Sequence, residues 1–125
     1  MRYLVFILLF TACQRTPEVD CKQYHTGTYT FSDTAGNTYT VRRTKDRQFE
    51  DAPDSDTTSV YAVEWINDCS YRLKLLEGSY ADRRFYGDKV MTVTITSGNK
   101  DSYQFVARME DMKGGEIKGK LDRKK

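Results

Sequence analysis

Met91-Thr92-Val93-Thr94-Ile95-Thr96 alternates apolar and hydroxyl side chains without a break. Side chains of an extended chain point to opposite faces in turn, so this stretch reads as a strand with one buried and one wet face. The same parity runs outward in both directions. Tyr103, Phe105 and Ala107 follow it downstream; upstream, Tyr71, Leu73 and Leu75 are interleaved with Ser70, Arg72 and Lys74. Earlier still, Tyr39 and Val41 alternate with Thr38, Thr40 and Arg42, and Tyr29 and Phe31 with Thr28 and Thr30. Val60 to Ile66 breaks the rule, with apolar residues on both parities, and is expected to be a strand covered on both sides.

Residues suited to tight hairpins separate these runs: Gly36-Asn37, Asn67-Asp68, Gly98-Asn99 and Gly114-Gly115. Seven strands are expected near 24–31, 38–43, 59–66, 70–77, 89–97, 101–109 and 115–121, with a weak eighth over Arg47 to Glu50. The expected fold is all-β: an antiparallel up-and-down meander of seven to eight strands that manages its edges by closing into a barrel or half-barrel. The link from Gly78 to Asp88, which holds Tyr80, Arg83, Arg84, Phe85 and Tyr86, is expected to be a lid or short helix over one barrel end.

The length, 125 residues, accommodates one ordinary domain. Hydrophobic residues at 38% and charged residues at 30% fit a small folded chain rather than a disordered one. Twenty Lys and Arg against eighteen Asp and Glu leave a formal charge of +2, which gives no general case for nucleic acid.

The N-terminus reads as an address. Arg2 precedes an apolar run from Tyr3 to Phe10, and the segment closes on Thr11-Ala12-Cys13. A positive start, a short apolar run and small residues before a break are the parts of a secretory signal. The run falls short of the roughly 18 to 20 residues a spanning helix needs. Phe10-Thr11-Ala12-Cys13 resembles the lipobox of bacterial lipoproteins, with Phe10 where Leu is usual. That resemblance implies a diacylglycerol on the Cys13 thiol, removal of residues 1–12, and a lipidated leash over 13–20 ahead of a single β domain at 21–125. No Asp follows the cysteine, so the expected location is the outer membrane, facing the periplasm.

With Cys13 lipidated, Cys21 and Cys69 remain. One pair in an oxidising compartment reads as a disulfide, closing a loop of about 49 residues. A metal pair or a free nucleophilic thiol are the alternatives, and neither cysteine has a neighbouring His-Cys grouping with ligand spacing.

The segments CKQYHTGTYTF, YTVRRTKDRQFE and VEWINDCSYRLKL are similar to those of small lipoproteins of the Bacteroidota. These share an early Cys, aromatic and Thr-Gly, a central Gln-x-Glu, and a Trp before a second Cys-x-Tyr. The resemblance implies no activity. Chains of this kind sometimes carry the name DNA topoisomerase IV, which this length and an exported destination do not support. Gly27-Thr28-Tyr29 and the meander resemble lipocalins at fold level, with Tyr29 where the Gly-x-Trp signature has Trp; fold alone transfers no function.

No catalytic constellation stands out, and a non-enzymatic role is expected. His25, the single histidine, has no nucleophile elbow or metal-binding helix beside it. Asp51, Asp54 and Asp56 lack the pattern of a calcium loop and read as a solvated acidic turn. The basic run Arg42-Arg43-Thr44-Lys45-Asp46-Arg47 and the tail Lys118, Lys120, Arg123, Lys124 and Lys125 read as a solvated face and a frayed end. No cofactor, metal or nucleic acid is implied. Parity turns Tyr29, Tyr39, Tyr61, Trp65, Tyr71, Tyr103 and Phe105 inward, and these are the candidate ligand-binding residues. An eight-stranded barrel is either filled by side chains or holds one small ligand, and the bulk of these side chains favours a filled core. The expected function is a lipid-anchored binding or interaction module with an envelope protein as partner, or else a carrier of a small apolar ligand.

Overall fold

A computed structural model describes residues 19–111 and 115–125. Residues 1–12, read above as a signal, and Cys13 lie outside the described residues. Eight antiparallel strands close in sequence order into a barrel: β1 (Gly27–Ser32), β2 (Thr38–Arg43), β3 (Arg47–Asp51), β4 (Thr58–Asn67), β5 (Ser70–Glu77), β6 (Val90–Gly98), β7 (Ser102–Met109) and β8 (Ile117–Arg123). Closure comes from β8 returning to β1, with Tyr29 opposite Arg123 and Thr30 opposite Asp122. Closing the sheet leaves no edge to template aggregation. The weak strand expected over Arg47 to Glu50 is β3.

The up-and-down order gives the barrel two unlike ends. One end carries the turns after β2, β4 and β6, together with a 3-10 turn, Cys21–Tyr24, ahead of β1. The other carries the turns after β1, β3 and β7 and one α-helix, α1 (Tyr80–Tyr86), between β5 and β6. The Cys21–Cys69 disulfide, with Cα atoms 5.1 Å apart, fastens the 3-10 turn to the β4–β5 hairpin. Val19 packs against the core, so the leash read as running to residue 20 is already docked at 19.

Three expectations need correction. The first strand begins at Gly27 rather than 24, because Cys21–Tyr24 coils into a plug and Gly27, at φ 129°, turns the chain into β1. The last strand runs 117–123 rather than 115–121. The Val60 to Ile66 stretch is not covered on both sides: Tyr61 and Val63 are buried, Val60 and Ala62 half-buried, and Glu64 and Ile66 exposed. The outer parity is therefore half-buried at Val60 and Ala62 and open to solvent at Glu64 and Ile66.

Local chemistry sets α1. Ser79 accepts from the Asp82 backbone N–H while the Asp82 carboxylate accepts from the Ser79 N–H, a reciprocal cap that starts the helix; Gly87, at φ 53°, ends it. The Ser59 hydroxyl donates to Asp82 Oδ2 and ties the helix to β4.

Candidate functional site

The seven inward aromatics separate into two groups along the barrel axis. At the end plugged by the 3-10 turn, Tyr29, Trp65 and Tyr103 fill the interior with Tyr24, and the space between them is occupied by a guanidinium. Arg43 is only 2% exposed. Its Nε donates to Gln48 Oε1 (2.9 Å), Nη1 to the Tyr24 carbonyl (2.8 Å), and Nη2 to the hydroxyls of Tyr71 (3.0 Å) and Tyr103 (2.8 Å). The cation also lies 4.6 Å from the Tyr71 ring centroid and 5.5 Å from that of Tyr29. Among the described residues no carboxylate is in ion-pair contact with it. Burial presses the pKa of Arg43 down, the neighbouring Tyr71 and Tyr103 press it up, and the net shift is upward, so the group stays cationic. Burial likewise pushes the Tyr103 hydroxyl well above its ordinary value. These four bonds engage four of the five N–H donors of the buried cation.

Around this plug, Tyr24 donates to the Asn99 carbonyl (2.5 Å) and Tyr29 to that of Thr26 (2.9 Å). His25 stacks on Trp65 with centroids 3.5 Å apart, and its Nε2 is 2.8 Å from the Asp68 carbonyl. Trp65 Nε1 is buried with no hydrogen-bond partner among the described residues.

Toward the helix end the filling stops. A cavity of about 230 Å³ is walled by apolar side chains of β1, β2 and β5–β8, among them Phe31, Val41, Leu73, Met91, Val93, Phe105 and Leu121, with Ala107 in its side. Tyr39, Tyr71 and Phe105 are the expected site residues that reach it. Phe105 lies flat against Gly119, its cross-strand partner, where a Cβ would collide with the ring. Tyr61 stands beside the cavity, its ring edge-on to Tyr86 of α1 at 5.4 Å. The wholly filled core expected from side-chain bulk therefore holds for one end of the barrel only.

The amide and carboxylate of the cavity wall come from β3, and Tyr39, Tyr71 and Tyr86 add hydroxyl-bearing rings. Gln48 and Glu50 face inward, and Gln48 Nε2 donates to Glu50 Oε1 (2.8 Å) while its Oε1 accepts from Arg43. Burial raises the Glu50 pKa, opposed by hydrogen bonds from Gln48 and Tyr61 and by the Arg43 charge, and reinforced by Asp82. Burial, and next the Glu50 charge, push the Tyr61 hydroxyl upward; burial does the same for Tyr86. At the mouth, Phe85 and Ile117 line the opening and remain partly exposed.

Sequence reasoning missed Arg43, Gln48, Glu50 and Tyr24. Arg43 continues the inward parity of Tyr39 and Val41, and Glu50 lies directly across from Val41. The reading of Arg43 as part of a solvated basic run is thus overturned, while Arg42, Lys45 and Arg47 are exposed. Asp51 accepts from the Thr58 hydroxyl across the β3–β4 hairpin, and Asp54 and Asp56 are exposed in its turn.

No family model matches the chain, and no curated protein matches it. Among solved structures, it is similar to a de novo designed fluorescence-activating beta barrel, with a TM-score of 0.44 and 22% identity over 86% of this chain and 100% of that one.

Proposed function

We propose that this protein is a lipid-anchored envelope barrel that binds one small, mainly apolar molecule in the cavity at its helix-covered end. The observation that carries the reading is a half-filled interior: side chains pack one end solidly and leave about 230 Å³ at the other, walled mainly by apolar and aromatic side chains with Gln48, Glu50 and the tyrosines Tyr39, Tyr71 and Tyr86 among them. Ligand sites are concave and mostly apolar with a few convergent polar groups. A dry cavity of about 150 Å³ takes benzene, so this one suits a single-ring or short-chain compound of roughly nine heavy atoms.

The anchor rests on the N-terminal lipobox-like Cys13, which precedes Cys21 by eight residues. Eight residues span at most about 26–29 Å, and Cys21 is fastened to the plugged end. A lipid on Cys13 tethers the plugged end within that reach of the membrane.

The test uses the full-length protein in phospholipid nanodiscs with methionine methyl groups labelled in ¹³C, because Met91 lines the cavity and reports its occupancy alone. Benzyl alcohol is expected to shift the Met91 resonance saturably, with a Kd of about 0.1–1 mM, equivalent to about 4–5.5 kcal/mol. Ala107→Phe places a ring of the probe's own size in the cavity and is expected to abolish the shift. An unmoved Met91 in the wild-type protein rejects the reading. The second reading, a module that docks an envelope protein, draws on the exposure of Tyr80 (70%) and Phe85 (51%) on α1. A partner captured by the wild type and lost with Tyr80→Ala, alongside an unmoved Met91, would favour it.

A further inference from the structure

Arg43 is the obvious receptor for an anionic ligand, and the geometry denies it that role. Its hydrogen bonds go to Gln48, the Tyr24 carbonyl, Tyr71 and Tyr103, and the Gln48 amide stands between the guanidinium and Glu50. The charge that faces the apolar space is instead the Glu50 carboxylate. Groups on every neighbouring element bear on it: Gln48 on its own strand, Arg43 on β2 behind Gln48, Tyr61 on β4, and Tyr86 and Asp82 on α1. Asp82 adds a second negative charge near the mouth. Gln48 donates to Oε1 and Tyr61 also hydrogen-bonds the carboxylate; a carboxylate has about four acceptor sites, so accepting capacity remains.

We infer that the ligand is a small apolar amine or other cationic donor, its apolar body against Val41, Met91 and Val93 and its head on Glu50, and that small carboxylates are excluded. The inference rests on the cavity reading above and adds the chemistry of the head group. An ammonium placed there makes a charge-assisted hydrogen bond and neutralises a half-buried carboxylate, whereas a carboxylate meets like charge.

Three probes with one apolar body separate the head groups: benzylamine, benzyl alcohol and benzoate, titrated at pH 7.5 into the full-length protein in nanodiscs and read at the Met91 methyl. Benzylamine is expected to bind at least about tenfold more tightly than benzoate, with benzyl alcohol between them. Glu50→Gln keeps the side chain's size and its acceptor for Gln48 while removing the charge. It is expected to shrink the amine's advantage over benzoate to less than about threefold. Benzoate binding as tightly as benzylamine, or an unchanged ranking in Glu50→Gln, overturns the inference and leaves the cavity reading standing. A Met91 signal unmoved by all three probes removes the cavity reading itself, and the inference with it.

Discussion

Ala107→Leu asks whether the space at the helix end is a void or a packed wall. Ala107 is buried, lines the cavity, and pairs with Val93 on one side and Ile117 on the other, both of them wall residues. Leucine adds three carbons. At about 0.8 kcal/mol for each buried methylene, the transfer gain has a ceiling of about 2.4 kcal/mol. Restriction of the new rotamers and small clashes leave an expected stabilisation of about 1–2 kcal/mol. With an unfolding entropy of about 2.1 cal/mol/K per residue over roughly 100 ordered residues, that raises Tm by about 5–9 °C. Urea unfolding followed by the fluorescence of Trp65, the single tryptophan, measures the change directly. Ala62→Leu, at an outward half-buried position of β4, is the control and should move stability by less than about 0.5 kcal/mol. A loss of 1 kcal/mol or more in Ala107→Leu, the ordinary consequence of overpacking, would refute the void.

Three further outcomes follow from other parts of the molecule. Cys69→Ser should lower stability by about 4 kcal/mol on the chain-entropy account of a loop of about 49 residues, and the difference from wild type should vanish under reducing conditions; equal urea midpoints without reductant would contradict it. Glu50 has a folded pKa above its unfolded value, so the folded state binds its proton more tightly and that contribution to stability is lost as pH rises through the folded pKa. Glu50→Gln, which does not titrate, should match wild type near pH 4 and exceed it at pH 8, and a variant no more stable at pH 8 would refute the assignment. Arg43→Met strands Gln48 Oε1 and the Tyr24 carbonyl, at about 1–3 kcal/mol each, while Tyr71 and Tyr103 keep the contact between their hydroxyls. Removing the desolvated cation offsets part of this, leaving an expected loss of about 2–3 kcal/mol in urea unfolding; a neutral or stabilising result would mean the plug does not depend on its cation.

The barrel could be read from the chain because its strands obey one rule. Met91 to Thr96 lies within β6 with Met91, Val93 and Ile95 buried, and the Gly36 and Gly98 turns join neighbouring strands. Parity says which face a side chain occupies and nothing about its height along the barrel axis. Height follows from where a residue falls along its strand and which way that strand runs, so it depends on counting every strand, the short β3 included. Tyr39 stands near the start of β2 just after the β1–β2 turn and Tyr103 near the start of β7 just after the β6–β7 turn, so, alike by parity, they sit at opposite ends, one on the cavity and one in the plug. Arg43 was given to solvent because an isolated guanidinium is costly to bury. Its partners Tyr24, Tyr71 and Tyr103 lie 19, 28 and 60 residues away, so their convergence is a tertiary fact that no local pattern announces. The helix, at seven residues, is too short to show a period, and only the Ser79-x-x-Asp82 cap and Gly87 mark it. Glu50 was hidden by the same assumption as Arg43, since an inward carboxylate in a short strand looks like a surface residue until Val41 is seen opposite.

The most direct test of the whole account is native mass spectrometry of the protein extracted from its own membrane in mild detergent, followed by the denatured intact mass. The expected result is an acylated chain beginning at Cys13, two hydrogens lighter than its reduced form, carrying a small basic molecule that is released on denaturation and is missing from Ala107→Phe. An unacylated chain that retains residues before Cys13 would contradict the anchor. A wild-type protein with no more bound mass than Ala107→Phe would contradict the ligand.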